Sequence, residues 1–204
     1  YMVEVNDDGA AVIVRDLTGT MTTAAVTYRK IDLTAVSVDV VTASISAVLP
    51  NVYEATGMIP SLLLAPGWSQ NKAVADALVK AADKINGHWD AYALVDIAPI
   101  AATVTAAKAK KNAEGRSTAK ETPCWPMVTD GIRNYHLSCL SAVMHQMVDT
   151  ENENIPYESC SNKILAGITG LVVENSSGDA EAIKMTIKNA NELNAVGIRT
   201  ALFW

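Results

Sequence analysis

Four side chains have the chemistry of a hydrolytic site: the carboxylate of Asp96, the imidazole of His136, and the hydroxyl groups of Ser69 and Ser138. Asp96 stands near the end of a predicted strand, where α/β folds keep their sites, and it could orient a catalytic histidine. Neither serine lies in the GxSxG turn that presents a nucleophile, and the sequence contexts of subtilisin-like proteases are also missing. We therefore interpret Asp96 as a structural acid at a strand end and predict no catalytic residue.

The sequence also lacks motifs for a cofactor or a metal ion. The turn at residues 66–69 has neither the GxGxxG pattern of dinucleotide folds nor the GxxxxGK[ST] pattern of phosphate loops. His88, His136 and His145 form no HExxH motif and do not combine with a cysteine at zinc spacing. We interpret His145 as packing at the edge of the core and His136 as capping or supporting a turn. No cofactor-binding and no metal-binding residue is predicted.

Three tryptophans, Trp68, Trp89 and Trp125, could in principle form an aromatic cage for a ligand. Each of them stands beside a Gly, His or Pro residue at the boundary of a predicted element, where large rings commonly close a hydrophobic core. We therefore predict that they pack in the interior of the protein.

Cys124, Cys139 and Cys160 are an odd number of cysteines without a CxxC pair. This pattern fits free thiols in a reducing cytoplasm better than a disulfide framework.

The charge balance argues against nucleic acid as a direct partner. The 204 residues include 16 Lys and Arg against 22 Asp and Glu, a net charge of −6, and phosphate backbones attract basic surfaces. The basic cluster of Lys108, Lys110 and Lys111 lies in an alanine-rich stretch, and we interpret it as a solvated helix face. Apolar runs stay shorter than the roughly 20 residues that span a bilayer, so membrane insertion is not predicted.

Residues 1–32 are predicted to be the edge of an adjoining β domain. The turn at 6–9 is typical of a hairpin that joins strands at 1–5 and 11–15, and a third strand is predicted at 24–30. The chain opens with Tyr1 inside a strand-like segment and ends on apolar residues, whereas natural termini are usually polar. We therefore expect an internal piece of a longer protein.

Residues 33–204 are predicted to form an α/β domain, because helical and strand patterns alternate along them. In the helix at 71–86, Asn71 is the expected N-cap, Gly87 the stop, and Leu78 and Val79 face the sheet. Alternation of this kind implies a mostly parallel sheet with helices on both faces. The predicted strands are at 61–65, 91–97, 123–128, 168–173 and 198–204, and the predicted helices at 41–56 (interrupted at Pro50), 71–86, 101–113, 137–150 and 179–196.

Eight stretches in order along the chain resemble the contractile-tail sheath family of phages, tailocins and related injection machines. They are IPSLLLAPG at 59–67, VADAL at 74–78, INGH at 85–88, ALVDI at 93–97, CWPMV at 124–128, YHLS at 135–138, IPYESCSNK at 155–163 and LNAVGIRT at 193–200. The resemblance extends over about residues 25–204. Two departures stand out: Cys160 occupies a place where the family often has proline, and residues 101–120 match poorly.

The resemblance implies an α/β domain of subtilisin-like topology without a protease centre, flanked by a β domain and by a C-terminal domain with an extended arm. It implies a structural subunit, not an enzyme, that polymerises around a tail tube and contracts to drive the tube through the host envelope. Its partners would be other copies in stacked six-fold rings, the tube protein and the baseplate, without direct nucleic-acid contact. The expected location is the virion tail, assembled in the bacterial cytoplasm, and the isolated fragment is expected to be monomeric.

Two alternatives stay open at this point. One is a small α/β hydrolase or ligand-binding protein with a non-standard site built from Asp96, His136 and Ser69, which a pocket lined by all three would favour. The other is the sheath of a non-phage contractile system, such as a secretion machine, which the sequence does not separate from a phage tail.

Overall fold

The computed structural model describes residues 2–5, 12–20, 22 and 33–202, and the chain divides into two compact units, 1–35 and 36–204. In the first unit, strands β1 (Met2–Val5) and β2 (Val12–Arg15) pair antiparallel. This is the hairpin pairing that the sequence predicts. The expected turn at 6–9 and the third strand at 24–30 lie outside the described residues. The assignment of residues 1–32 to an adjoining β domain stays a prediction.

The second unit is a mixed α/β fold, which confirms the predicted class. Strands β3, β4 and β5 form a parallel sheet in that order, and a second sheet, in the order β7-β6-β8-β9, is antiparallel throughout. The parallel sheet is therefore smaller than the alternating pattern suggested. The helices are α1 (Val38–Val48), α2 (Val52–Thr56), α3 (Lys72–Ala81), α4 (Val104–Ala113), α5 (Leu137–Glu151) and α6 (Ile187–Asn194), with a 3-10 turn at Leu49–Asn51; the 3-10 turn at Leu33–Ala35 belongs to the first unit. The strands are β3 (Leu62–Leu64), β4 (Tyr92–Asp96), β5 (Glu121–Cys124), β6 (Met127–Thr129), β7 (Asn134–Tyr135), β8 (Gly170–Glu174) and β9 (Ala180–Ile183).

The first helical segment breaks at Pro50, as predicted. The Ser37 side chain caps α1 by accepting from the backbone N–H of Val40, and the 3-10 turn that contains Pro50 separates α1 from α2. Proline has no N–H to donate, so the regular helix cannot continue through this position. Gly57 ends α2 in the left-handed conformation, with φ of 68°.

Helix α3 begins as predicted and ends earlier. The Asn71 side chain accepts from the N–H of Ala73 at 3.0 Å, which confirms the predicted N-cap. The helix stops at Ala81 instead of Asn86, because Lys84 takes a left-handed conformation and donates its backbone N–H to the Asp90 carboxylate. Gly87 therefore belongs to the following turn and does not end the helix.

The predicted strand at 123–128 is two strands. β5 belongs to the parallel sheet and β6 to the antiparallel sheet, and the cis peptide bond between Trp125 and Pro126 lies between them. Trp125 is 1% exposed and donates its indole N–H to the carbonyl of Ala101 at 3.0 Å. The chain thus changes from one sheet to the other around a buried tryptophan.

The predicted helix at 179–196 is wrong in its first half. Residues Ala180–Ile183 form β9, because the Asn175 side chain accepts from the N–H groups of Ser177 and Asp179 and turns the chain back along β8. Helix α6 begins only after Thr186, whose hydroxyl caps it by accepting from the N–H of Asn189.

The predicted final strand at 198–204 is reduced to a single bridge. Arg199 donates its N–H to the carbonyl of Pro123 and accepts from the N–H of Trp125, in parallel orientation to β5. Residues 198–202 contain no assigned strand, and 203–204 lie outside the described residues. The segment therefore lies beside β5 with two backbone hydrogen bonds.

Three groups of buried apolar side chains form the core. The first lies between α1, α3 and strands β3 and β4; the second surrounds Trp125; the third lies between the antiparallel sheet and α5. Leu78 is 3% exposed in the first group, which confirms its predicted place in the core. Val79 packs against the same group half-buried, and its orientation toward the sheet stays a prediction. The largest members are Leu63, Val74, Leu78 and Ile85 in the first group, Ile97, Trp125, Leu193 and Ile198 in the second, and Val128, Leu137 and Leu171 in the third.

Candidate functional site

The carboxylate of Asp96 is the centre of a buried polar cluster at the end of β4. It accepts hydrogen bonds from the Ser138 hydroxyl at 2.6 Å, the Ser138 backbone N–H at 3.1 Å and the Ser69 hydroxyl at 3.1 Å. The backbone N–H of Asp96 in turn donates to the Ser69 hydroxyl at 2.9 Å. We call Asp96, Ser69, Ser138 and His136 the Asp96 cluster. The structure thus brings together the residues that the sequence offered as a hydrolytic site.

Three separate elements supply the cluster. Asp96 ends β4, Ser69 lies in the turn that follows β3, and Ser138 is the second residue of α5. The residue at the N-cap of α5, His136, makes no side-chain capping bond, so the Asp96 carboxylate takes that role from another element. A negative charge at a helix N-terminus is also favourable for the helix dipole. The cluster therefore connects the turn after β3 and the N-terminal end of α5 to β4, the central strand of the parallel sheet.

His136 lies at the margin of this arrangement. Its Nδ1 atom is 3.8 Å from the nearer Asp96 oxygen, which is too long for a hydrogen bond. That nitrogen is buried and forms no hydrogen bond within the part of the chain that the structure describes. His136 therefore does not cap the helix with its side chain, although the residue stands at the N-cap position. The alternative that His136 supports the turn stays a prediction.

The geometry of the Asp96 cluster differs from that of a nucleophilic serine site. A catalytic serine needs an imidazole between its hydroxyl and the acid, so that the ring can accept the proton. Here both serine hydroxyls donate directly to the carboxylate, and both serine residues are 0% exposed. Both hydroxyl groups are therefore held as hydrogen-bond donors to the carboxylate.

Arg116 extends this network, although no sequence pattern indicates such a role. Its guanidinium is buried, donates to the backbone carbonyls of Ser69 and Gln70, and pairs with Glu114 at 2.6 Å. A buried arginine with such partners holds a loop in place. It lies in the 101–120 stretch, where no motif was recognised, and a lone arginine near an alanine-rich helix carries no signal in the sequence.

A groove of about 1040 Å³ lies beside β5. Its walls come from β5, α5, the loop at 158–165 and the segment at 196–202, and the lining residues include His145, Cys160, Lys163 and Arg199. No member of the Asp96 cluster lines this groove. The hydrolase alternative would be favoured by a pocket that Asp96, His136 and Ser69 line together. This groove is not that pocket.

The groove contains a contact between a thiol and an imidazole. The Sγ atom of Cys160 lies 3.6 Å from the Nε2 atom of His145, and the Arg199 guanidinium lies 2.8 Å from the same nitrogen. Burial first, and then the charge of Arg199, lower the pKa of His145, while Asp149 raises it. His145 was predicted at the edge of the core, and the structure adds these two partners.

The three tryptophans that were candidates for an aromatic cage lie in different surroundings. Trp68 and Trp125 pack in different core groups, and Trp89 lies against Tyr53 with ring centroids 5.2 Å apart.

No group of three or more metal-ligating side chains occurs in the described ranges, and no described helix is long and apolar enough to cross a bilayer.

The three lysines of α4 behave differently from one another. Lys108 pairs with Glu192 and Lys110 with Glu114, so these two lie on the helix surface. Lys111, however, is 7% exposed and donates to the Ser117 hydroxyl. The predicted solvated face therefore excludes Lys111, because its side chain is enclosed by the turn that follows the helix.

No family model matches this chain, and no curated protein is similar to it in sequence. A solved structure does match its fold, over 78% of the chain, with a TM-score of 0.50 and 20% sequence identity. The chain shares its fold with a component of the anti-feeding prophage baseplate. That baseplate was determined by cryo-EM with six-fold symmetrisation. The match covers 38% of the anti-feeding prophage chain, so the present chain spans little more than a third of that protein.

Proposed function

We propose that this chain is the α/β body of a structural subunit in a contractile injection system, and specifically of its tail sheath. The observation that carries the proposal is the shared fold with a chain of the anti-feeding prophage baseplate over 78% of the present chain. The eight sequence stretches that resemble the sheath family favour the sheath over other tail components. Since the match covers 38% of the anti-feeding prophage chain, assembly and partners belong to the proposal.

The buried polar contacts fit a body that moves as a unit. In a contracting lattice, subunits change their contacts with one another while each subunit stays nearly rigid. The Asp96 carboxylate connects the β3–α3 turn and the start of α5 to β4, and Arg116 binds the backbone of the same turn. Loops that are fixed in this way can transmit a displacement without unfolding.

The proposed partners are other copies of the protein in stacked six-fold rings, the tail tube and the baseplate. The proposed location is the tail of a phage or a phage-like particle. The energy for contraction would reside in the assembled lattice, so the proposal needs no nucleotide and no metal ion.

Antibody labelling tests the sheath assignment directly. Antibodies raised against the 204-residue chain would be applied, with gold particles, to tails from the producing organism and viewed by electron microscopy. A sheath subunit is expected to label along the whole length of extended tails. Label confined to one end would assign the protein to the baseplate, and unlabelled tails would contradict both.

The hydrolase alternative retains one observation in its favour: Asp96 binds both serine hydroxyls and also lies near His136. Three features weigh against it: both hydroxyls donate to the carboxylate, both serines are fully buried, and His136 lies 3.8 Å from Asp96. We therefore prefer a structural role for the cluster.

The chain is expected to lack serine hydrolase activity. A fluorophosphonate probe should leave Ser69 and Ser138 unmodified, because each hydroxyl is buried and donates to the Asp96 carboxylate instead of to an imidazole. Intact-mass spectrometry of the folded protein measures this, with a known serine hydrolase as the positive control. Labelling of either serine that disappears in His136→Ala would support the hydrolase and contradict the structural role.

The 204-residue chain alone is expected to be monomeric at micromolar concentration. Interfaces that rearrange on contraction cannot be large and hydrophobic, and in this proposal extended arms provide the main links between subunits. The net charge of −6 adds mild repulsion between copies. Light scattering coupled to size exclusion measures the mass. A stable hexamer or filament formed by this chain would contradict the proposed role of the arms.

A further inference from the structure

Arg199 attaches the segment at 199–202 to two elements of the body. Its backbone N–H donates to the carbonyl of Pro123 at 2.8 Å, and its carbonyl accepts from the N–H of Trp125 at 3.0 Å. Its guanidinium lies 2.8 Å from the Nε2 atom of His145 on α5. The backbone of Arg199 thus binds β5 while its side chain binds α5.

The contact between Arg199 and His145 requires a neutral imidazole. A guanidinium can only donate, so Nε2 of His145 is the acceptor, and the neutral ring carries its proton on Nδ1. A second proton would have to bind the same Nε2 lone pair. Protonation of His145 and the hydrogen bond from Arg199 therefore exclude each other. The Cys160 sulfur, 3.6 Å from Nε2, is a neighbour of the ring and not its hydrogen-bond donor.

A protonated His145 would also repel Arg199. The imidazolium ring is a donor at both nitrogens, so two donors and two positive charges would face each other at the place of the present hydrogen bond. Both residues are half-buried, and water screens such a pair less than it screens a pair on the open surface. The Arg199 side chain must then move away from α5.

The segment at 199–202 has weak attachments besides Arg199. The Thr200 hydroxyl donates to the Sδ atom of Met185 at 3.1 Å, and Ala201 packs half-buried against the third core group. Ile198, directly before the segment, is 1% exposed and belongs to the second core group, so it fixes the point where the segment begins. Among the contacts that the structure describes, the bond to His145 is the one that a change of pH can remove.

We propose that protonation of His145 loosens the attachment of the 199–202 segment to β5, so that acid releases a segment that is bound at neutral pH. The two states are the closed bridge, with Arg199 bound to both β5 and α5, and an open bridge in which the Arg199 side chain has left the imidazole. A proton binds the open state better than the closed state, and such a difference in affinity shifts the population. The proposal does not depend on the tail-sheath assignment.

The charged groups around His145 support the direction of this effect. Burial first, and then the charge of Arg199, lower the pKa of His145, while Asp149 on α5 raises it. In the loop after α5, Glu158 and Lys163 pair with each other, so their charges oppose one another at the groove. The other ionisable side chains of the groove are Tyr92 on β4, Lys111 and Arg116 from α4 and the turn after it, and Glu121 on β5.

The sign of the pH dependence follows from the lowered pKa. The open state, with a ring free of Arg199, takes up a proton near the ordinary histidine pKa of about 6.5, whereas the closed state does so only at lower pH. The closed bridge is therefore fully favoured above about pH 6.5 and becomes less favoured as the pH falls below that value. Between pH 7.5 and 5.5, one such group raises the open fraction by at most about ten-fold.

Hydrogen exchange of two backbone amides tests the proposal on the folded chain. The N–H groups of Arg199 and Trp125 are the donors of the bridge, so the closed bridge protects both. After correction for the intrinsic rate, we expect both to exchange several-fold faster at pH 5.5 than at pH 7.5. The N–H of Ala93, which donates to Lys120, reports on the sheet itself and should not change. Unchanged exchange at the bridge, or an equal rise at Ala93, would overturn the proposal.

Two variants separate His145 from the other titrating groups. His145→Gln keeps an acceptor for Arg199 that does not titrate, so the corrected exchange of the two bridge amides should be the same at both pH values. His88→Gln changes an exposed histidine that lies against Trp89, and it should keep the response of the unmodified chain. A pH response that persists in His145→Gln would overturn the proposal.

An NMR titration of the unmodified chain covers the case in which His145→Gln fails to fold. We expect the His145 ring to titrate below about pH 6.5 and the amide signal of Arg199 to shift with the same midpoint. A ring that titrates at or above 6.5 would contradict the bond from Arg199 to its lone pair. An Arg199 amide signal that does not follow the ring would contradict the coupling to the segment.

Discussion

Replacing Asp96 with alanine is expected to lower the free energy of unfolding by about 3–5 kcal/mol. The substitution removes the acceptor for two serine hydroxyls and for the Ser138 N–H, all in a site that water does not reach. Each buried donor without a partner costs about 1–3 kcal/mol, and the helix α5 also loses the negative charge at its N-terminus. Chemical denaturation at neutral pH measures the loss.

Two control variants make this test specific. Asp96→Asn keeps the shape and one acceptor oxygen, so it should cost less than Asp96→Ala. Asp76→Ala removes an exposed carboxylate that pairs with Lys72, and it should change stability by no more than about 0.5 kcal/mol. A loss for Asp96→Ala as small as that for Asp76→Ala would show that the cluster is not structural.

Double substitutions then test whether the cluster acts as one unit. If Ser138→Ala is combined with Asp96→Ala, the combined loss should be smaller than the sum of the two separate losses. The reason is that the hydroxyl has no acceptor once Asp96 is gone. Strictly additive losses would contradict the hydrogen bond between them.

Replacing Leu78 with alanine is expected to cost about 2–5 kcal/mol, the range for buried leucines. Leu78 is 3% exposed and lies in the core group between α3 and the parallel sheet, so truncation leaves a cavity there. Thermal or chemical denaturation measures the change. Lys80→Ala, on the exposed side of the same helix, is the matched control and should have little effect. An unchanged stability in Leu78→Ala would mean that the contact of α3 with the sheet is misassigned.

The parallel half of the fold could be predicted because its signals are local. Each of these signals is contained in a few consecutive residues: the apolar stripe of α3, its Asn71 cap and the apolar runs of β3 and β4. β9 could not be predicted in this way. Its strand conformation depends on pairing with β8 and on the Asn175 turn, while its own residues, AEAI at 180–183, also favour a helix.

The Asp96 cluster was partly visible in the sequence. The position of Asp96 at a strand end indicated a site, and Ser69 and His136 were considered as its partners. The sequence could not indicate that Ser138 would bind the carboxylate with both its hydroxyl and its N–H, since 42 residues separate the two. Arg116 was missed for the same reason, because its partners at Ser69 and Gln70 are supplied by tertiary packing.

The bridge between Arg199 and β5 has a mechanical consequence. Its two backbone hydrogen bonds reach Pro123 and Trp125, on either side of Cys124, and the two segments run parallel. A force directed along β5 would stretch both bonds at the same time, whereas a force directed away from β5 would break them one after the other. The segment at 198–202 should therefore resist shear along the strand much better than peeling away from it. In a subunit that is displaced by its neighbours, the direction of the pull would decide whether this segment stays attached to the body.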